Sequence, residues 1–177
     1  MEPALGTWEA IDSVRVVRSF ADDPLAPAEL ERVLNAGRRA GSSKNLQRWA
    51  FVVVSDRDRL RELAAVGPYA AHLAGAAAAI GLVTPDPRGP DQPLSVVFDL
   101  GRAAQNMVLA AWELGIGSAP ATVHDHHLAR RLLALPEGMH CEYLLSFGRP
   151  ADEAALTRPN RPGGRKPLAE VVHRERW

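Results

Sequence analysis

Between residues 27 and 54 the apolar positions change their period. From Pro27 to Ala40 they recur on one helical face, at Leu30, Val33, Leu34 and Ala40. Ala50-Phe51-Val52-Val53-Val54 is instead a continuous β-branched and aromatic run, the pattern of a buried strand. The polar stretch between them, Gly41-Ser42-Ser43-Lys44-Asn45-Leu46-Gln47-Arg48-Trp49, is thus a loop fixed to the head of a strand. Such loops offer backbone N–H groups and short polar side chains to ligands. The same pattern also serves as a plain helix-to-strand connection with its tryptophan plugging the core.

The remaining elements follow from the same two periods. Thr7 to Arg15 predicts a helix with Thr7 at its N-cap and Trp8, Ile11 and Val14 on one face. Asp56 to Val66 predicts a surface helix with Leu60, Leu63 and Ala64 facing in, ended by Gly67-Pro68. Tyr69 to Ala77 reads as a short helix, Ala78 to Thr84 as a second strand and residues 86–93 as a Pro-rich loop. The longest helical pattern is Leu94 to Leu114. Its small residues, among them Gly101, Ala103, Ala104, Ala110 and Ala111, suit close packing of another helix, within the subunit or from a twin. Asp125 to Leu135 predicts another helix and Cys141 to Phe147 a third strand. The tail from Ala151 to Trp177 is polar, Pro-rich and expected to be extended.

Composition narrows the function classes. A chain of 177 residues, 46% hydrophobic and 24% charged, suits one folded domain spanning 1–177. Its 21 basic and 21 acidic residues balance, so bulk charge gives no reason to expect nucleic acid or a membrane surface as partner. A lone Cys141 and the absence of an apolar signal core in the first twenty residues fit a soluble, cytoplasmic protein.

Four stretches carry candidate chemistry. Arg15 and Arg18 can hold an anion between two guanidinium forks, or be a solvated pair on a turn. The run Gly115-Ile116-Gly117-Ser118-Ala119-Pro120-Ala121-Thr122-Val123 can turn sharply and face N–H groups toward a planar ligand, or simply lead from helix to strand. His124, His126 and His127, with His140 and Cys141 further on, raise a metal site, but the spacing of the first three does not put them all on one helical face, and no functional metal is expected. Arg165 and Lys166 near the end are a second pair of cations.

These motifs, in this order, resemble those of the flavin-dependent nitroreductase family. Ser42-Ser43-Lys44-Asn45-Leu46-Gln47-Arg48-Trp49 is similar to its S-S-x-N-x-Q-P-W element, with Arg48 in place of proline. Arg15, Arg18 and Phe20 match its R-R-S-x-R-x-F signature, where Val14 replaces an arginine and Val16 the serine. Asp99 through Ala111 resembles its central helix, Gly148-Arg149-Pro150 its strand exit and Arg165 to His173 its R-K-P-L-E-E-V-V-H ending. The resemblance implies an α+β fold with a central mixed or antiparallel sheet flanked by helices. It also implies a homodimer, with a C-terminal tail extending onto the partner. The expected cofactor is FMN, reduced by NAD(P)H and reoxidised by a nitroaromatic, quinone or related acceptor. The residues implied to bind it are Arg15, Val16, Arg18, Ser42, Ser43, Asn45, Gln47, Thr122, Val123, Arg165 and Lys166. Ser42, Ser43 and Asn45 would reach the partner's flavin. The flavin carries the chemistry, so no catalytic side chain is expected. The alternative is a flavin-binding module that stores or senses FMN without turnover.

Overall fold

Residues 78–85 are buried almost without a break, as a strand covered on both faces must be. They form β2 (Ala78–Pro85), which pairs antiparallel with β1 (Ala50–Val54) on one side and β4 (Met139–Gly148) on the other. A further strand, β3 (Gly117–Thr122), pairs antiparallel with β4, giving the order β1-β2-β4-β3. The computed structural model describes residues 5–89, 93–159 and 164–177, so part of the Pro-rich loop and part of the tail lie outside the described residues.

One face of the sheet packs Val54, Val83, Val123 and Leu144 against Leu60 and Leu63 of α3 (Arg57–Leu63) and Ala129 of α5 (His126–Leu132). Cys141 lies in this layer, and burial pushes its thiol up to about 12. The other face packs Ile80, Leu82, Leu145 and Phe147 against Val33 of α2 (Pro27–Arg38) and Leu100 and Met107 of α4 (Ser95–Glu113). The expected α+β architecture is observed, and its sheet is antiparallel throughout.

The departures are local. β3 was legible only as a turn because Gly-Ser-Ala-Pro-Ala-Thr has neither alternation nor bulk, and Pro120 lacks an N–H. Pro120 is tolerated because β3 is the edge strand. Gly6, not Thr7, caps α1 (Thr7–Ser13), its N–H donating to Glu9 Oε2 at 2.8 Å. The face expected to be buried is open: Trp8 and Ile11 are exposed, and only Ala10 is buried. Residues 69–77 make a 3₁₀ turn at Ala71–Gly75 instead of an α-helix, since Gly67-Pro68 and Gly75 leave too little chain between them. The tail carries two single turns, α6 (Ala154–Thr157) and α7 (Leu168–Val171), where an extended chain was expected.

Candidate functional site

The segment after α1 is stitched to the sheet at both ends. Val17 donates its N–H to the Ser118 carbonyl at 2.9 Å, beside a parallel bridge between Val16 and Ser118. Two residues on, Ala151 N–H donates to the Ser19 carbonyl at 3.0 Å, and four residues on Ala21 N–H donates to the Arg149 carbonyl at 2.9 Å. Arg18 sits between these clamps with its backbone fixed and its side chain exposed. Arg15 is half-buried; its Nε donates to the Ser13 carbonyl at 3.1 Å and its guanidinium also reaches the Arg158 carbonyl. The tail thus begins beside the N-terminal arginines.

Close packing holds this register. A Cβ on Gly117 would come within 2.6 Å of Val17 Cβ and 2.8 Å of both its γ-carbons. A β-branched side chain cannot rotate out of the way. Gly117→Ala is therefore expected to destabilise the fold by about 1–3 kcal/mol and to lower Tm by a few degrees or more, read by thermal unfolding.

The outer edge of β3 is the second part of the site. Val123 N–H donates to the Glu142 carbonyl at 2.9 Å. In an antiparallel ladder pairing alternates, so the amide of Thr122 points away from β4, on the outer side of β3 where Ser118 takes the Val17 N–H. Pro120 between them is exposed and has no N–H to pair. Of the expected pair, Thr122 offers an edge amide. Val123 does not: its amide is used and its side chain is in the core. An apolar cavity of about 370 Å³ abuts Pro120, lined also by Leu82, Val97, Leu100, Gly101 and Tyr143 and by Pro87 and Arg88. That volume is in the range of small-molecule sites.

Beneath this edge lies a residue that sequence reasoning missed. His72 is buried, with Nδ1 2.9 Å from Ser146 Oγ, and Ser146 Oγ donates to the Ala119 carbonyl at 3.2 Å. Because the hydroxyl proton is spent on Ala119, Nδ1 is the donor, and Nε2 carries a lone pair with no protein partner. Burial lowers the His72 pKa, and the charge of Arg18 lowers it further against a raising contact from the Pro120 backbone. A single histidine in an alanine-rich stretch gives no periodic signal.

The Ser42–Gln47 loop is held by different contacts. Ser43 N–H donates to Asp99 Oδ2 at 2.8 Å, and Asp99 is buried on α4 with Arg102 3.9 Å from its other oxygen. Gln47 N–H donates to Ser42 Oγ at 3.0 Å and Gln47 Nε2 to Asn45 Oδ1 at 3.2 Å. Lys44, Asn45 and Gln47 all have positive φ, near 50°. That region is unfavourable for lysine and glutamine, and such concentrated strain is typical of ligand-binding turns. Asp99 is the anchor, and the sequence showed it only as one position of a helical pattern.

One chain does not bring these groups together. The loop is tied to Asp99 in the N-terminal part of α4, whereas Trp112 Nε1 in its last turn donates to Ser13 Oγ at 2.8 Å, next to Arg15. Thirteen residues of helix rise separate those anchors by roughly 20 Å. Arg15, Val16 and Arg18 therefore lie toward the C-terminal end of α4 and Ser42, Ser43, Asn45 and Gln47 toward its N-terminal end, while Thr122 lies further along β3, past Pro120, whose cavity is lined by Val97 and Leu100 of the N-terminal part of α4. Arg165 and Lys166 are exposed, and Arg165 hydrogen-bonds the neighbouring Gly164 carbonyl at 3.2 Å.

Clamped arginines, an open strand edge and a strained polar loop can be compared with known proteins. The family model described as Nitroreductase family matches residues 11–78 and 65–149. The chain belongs to the nitroreductase family. A relative from Archaeoglobus fulgidus described as an NADH dehydrogenase/NAD(P)H nitroreductase is 32% identical over 168 residues, covering 92% of this chain and 94% of the relative. Among solved structures, an NADH dehydrogenase/NAD(P)H nitroreductase from Bacteroides thetaiotaomicron superposes with a TM-score of 0.82 at 28% identity, covering 96% of this chain and 97% of that one. An NADPH:FMN oxidoreductase from Vibrio harveyi, complexed with NAD+, gives a TM-score of 0.81 at 27% identity, covering 97% of this chain and 77% of that one. The nitroreductase fold is thereby shown.

Proposed function

We propose that this nitroreductase-family chain is an FMN-dependent NAD(P)H oxidoreductase acting on small nitroaromatic or quinone-like acceptors. The observation that carries the reading is the edge of β3. There Arg18, the outward amide of Thr122 and the apolar cavity at Pro120 lie along one line of backbone. This fits FMN on chemical grounds: a cation for an anionic edge or phosphate, an N–H donor for a ring nitrogen and an apolar wall for the ring. Arg15 and Arg18 would hold the cofactor's anionic groups, and Val16 leaves backbone contacts in place of the family serine's hydroxyl. When bound, the flavin supplies two-electron transfer between a nicotinamide and an acceptor.

The chain's own residues prepare that chemistry. Arg18 would set a positive potential at the edge of β3, favouring an electron-rich ring. The Thr122 amide is a fixed dipole that needs no reorganisation. Pro87 and Arg88 form part of the wall of the cavity.

We further propose that the working unit is a homodimer in the cytoplasm and that each site is shared. Trp8 is 74% exposed, Leu94 90% and Phe98 68%, too much large apolar surface to leave in water. Gly101 leaves open space on the same stripe of α4. Antiparallel pairing of that stripe with its twin turns the Ser42–Gln47 loop of one chain toward the arginine end of the other. Leu168 and Val171 in the exposed tail would dock on the partner, carrying Arg165 and Lys166 toward the cofactor's phosphate. No helix among the described residues is long and apolar enough to cross a membrane.

Steady-state oxidation of NADPH by the FMN-loaded protein, with a nitroaromatic or a quinone as acceptor, tests the proposal. Acceptor-dependent turnover is expected. Tight FMN binding without turnover would instead favour a storage or sensing module.

A further inference from the structure

The three neighbouring histidines diverge in the fold. His124 lies with Nδ1 3.2 Å from the Thr122 carbonyl and its ring 6.4 Å from Tyr69. His127 is exposed. His126, at the first turn of α5, turns instead toward β4, where its ring centroid is 4.7 Å from that of His140. Glu142, two residues along the strand, reaches both: its Oε2 is 2.7 Å from His140 Nε2 and 3.9 Å from His126 Nε2. One ligand atom from each of the three side chains lies within 4.8 Å of the others.

We propose that His126, His140 and Glu142 form a binding site for a divalent transition-metal ion of the zinc class. Two imidazole nitrogens and one carboxylate oxygen are a borderline donor set that suits such ions better than calcium or magnesium. Ligand atoms about 2.0–2.2 Å from a tetrahedral ion stand roughly 3.3 Å from one another. The separations here bracket that value, so small side-chain rotations suffice. His140 is buried, which fixes one ligand in place. His126 Nδ1 is also buried and has no hydrogen-bond partner, an unsatisfied polar atom inside the cluster. A neighbouring cavity of about 190 Å³, lined by His126 and His140 together with Asp86, His127 and Met139, leaves room for water at a fourth position.

Arg88 opposes the ion and makes the proposal distinctive. Its Nη2 lies 3.1 and 3.2 Å from the two ring nitrogens of His140. A guanidinium has no lone pair to offer and stays charged, so it cannot act as a ligand. It stands where a cation is favoured, beside Glu142 and tied to Asp86 at 3.2 Å. The side chain is 60% exposed and can swing into solvent when an ion enters. Glu142 also takes the Val123 N–H on its carbonyl and lines the cavity at Pro120, so an ion here would brace β4 and α5 beside the proposed cofactor site.

The test is zinc titration of the full chain, stripped beforehand with a chelator, in competition with a chromogenic zinc indicator. One zinc per chain is expected. His126→Ala and Glu142→Gln, both at positions that are not fully buried, should each weaken binding at least about tenfold. Arg88→Gln should tighten it, because it removes the competing charge. No stoichiometric zinc, or equal affinity in the parent and both ligand variants, overturns the site. Should a variant fail to fold, cobalt binding to the parent decides: visible bands of imidazole-ligated, low-coordinate cobalt support the site, and the spectrum of hydrated cobalt overturns it.

Discussion

Arg18→Ala is expected to weaken FMN binding by about ten- to a hundredfold. A charge-assisted hydrogen bond is worth roughly 1.5–3 kcal/mol, and each 1.4 kcal/mol is a factor of ten. The backbone of residue 18 is held between the Val17–Ser118 and Ser19–Ala151 hydrogen bonds, so the substitution removes the guanidinium without releasing the segment. If Arg18 faces the ring, riboflavin, which lacks the phosphate, should lose affinity in parallel. The reduction potential should fall as well, because a cation there favours the reduced anion. Arg165→Ala should act differently: FMN weakens by a similar factor while riboflavin binds variant and parent alike, since the contact is to phosphate. Lysine at either position should give an intermediate loss, keeping charge but not the fork. Fluorescence titration of both ligands on both alanine variants reads all four constants. Unchanged FMN affinity in both would make these surface arginines.

The second large effect concerns assembly. Phe98→Glu should dissociate the dimer and take FMN binding with it. Phe98 stands 68% exposed on α4, in a stripe with Leu94 and Val97. In an isologous contact every side chain is buried twice. At roughly 1.5–3 kcal/mol for each buried phenylalanine, even alanine there forfeits about 3–6 kcal/mol, two to four orders of magnitude in the dimer constant. Glutamate adds two unpaired charges to an apolar contact. Sedimentation at micromolar concentration, with and without FMN, reads the outcome. A variant that stays dimeric, or a monomer that keeps FMN, contradicts a shared site.

The sheet and its helices were legible where the apolar pattern was strong. Ala78–Pro85 and Met139–Gly148 are rich in buried residues packed between two layers, and such strands announce themselves as apolar runs. Ala50–Val54 was legible as a strand but not as a buried one: it is the other edge of the sheet, and only Val54 is buried. β3 was not legible, because an edge strand of Gly117, Ser118, Ala119, Pro120, Ala121 and Thr122 draws its stability from the β4 ladder and not from bulky side chains. Trp8 and Ile11 gave a correct helical period but the wrong environment, since periodicity names a face without saying what covers it. The candidate site was visible as motifs in order. What linked them was not: the Asp99 anchor, the backbone clamps on either side of Arg18 and buried His72 depend on contacts between residues 56 to 132 positions apart in the chain. The histidines were noticed, but the group that converges joins His126 to residues of β4, a pairing no local spacing encodes.

The most direct measurement is the visible spectrum of the purified full-length protein, followed by denaturation and identification of the released chromophore. The account predicts a yellow dimer, or one that becomes yellow on adding FMN, with one FMN per chain whose visible absorption bleaches when NADPH is added without oxygen. A colourless protein that takes up no FMN in fluorescence titration would contradict it.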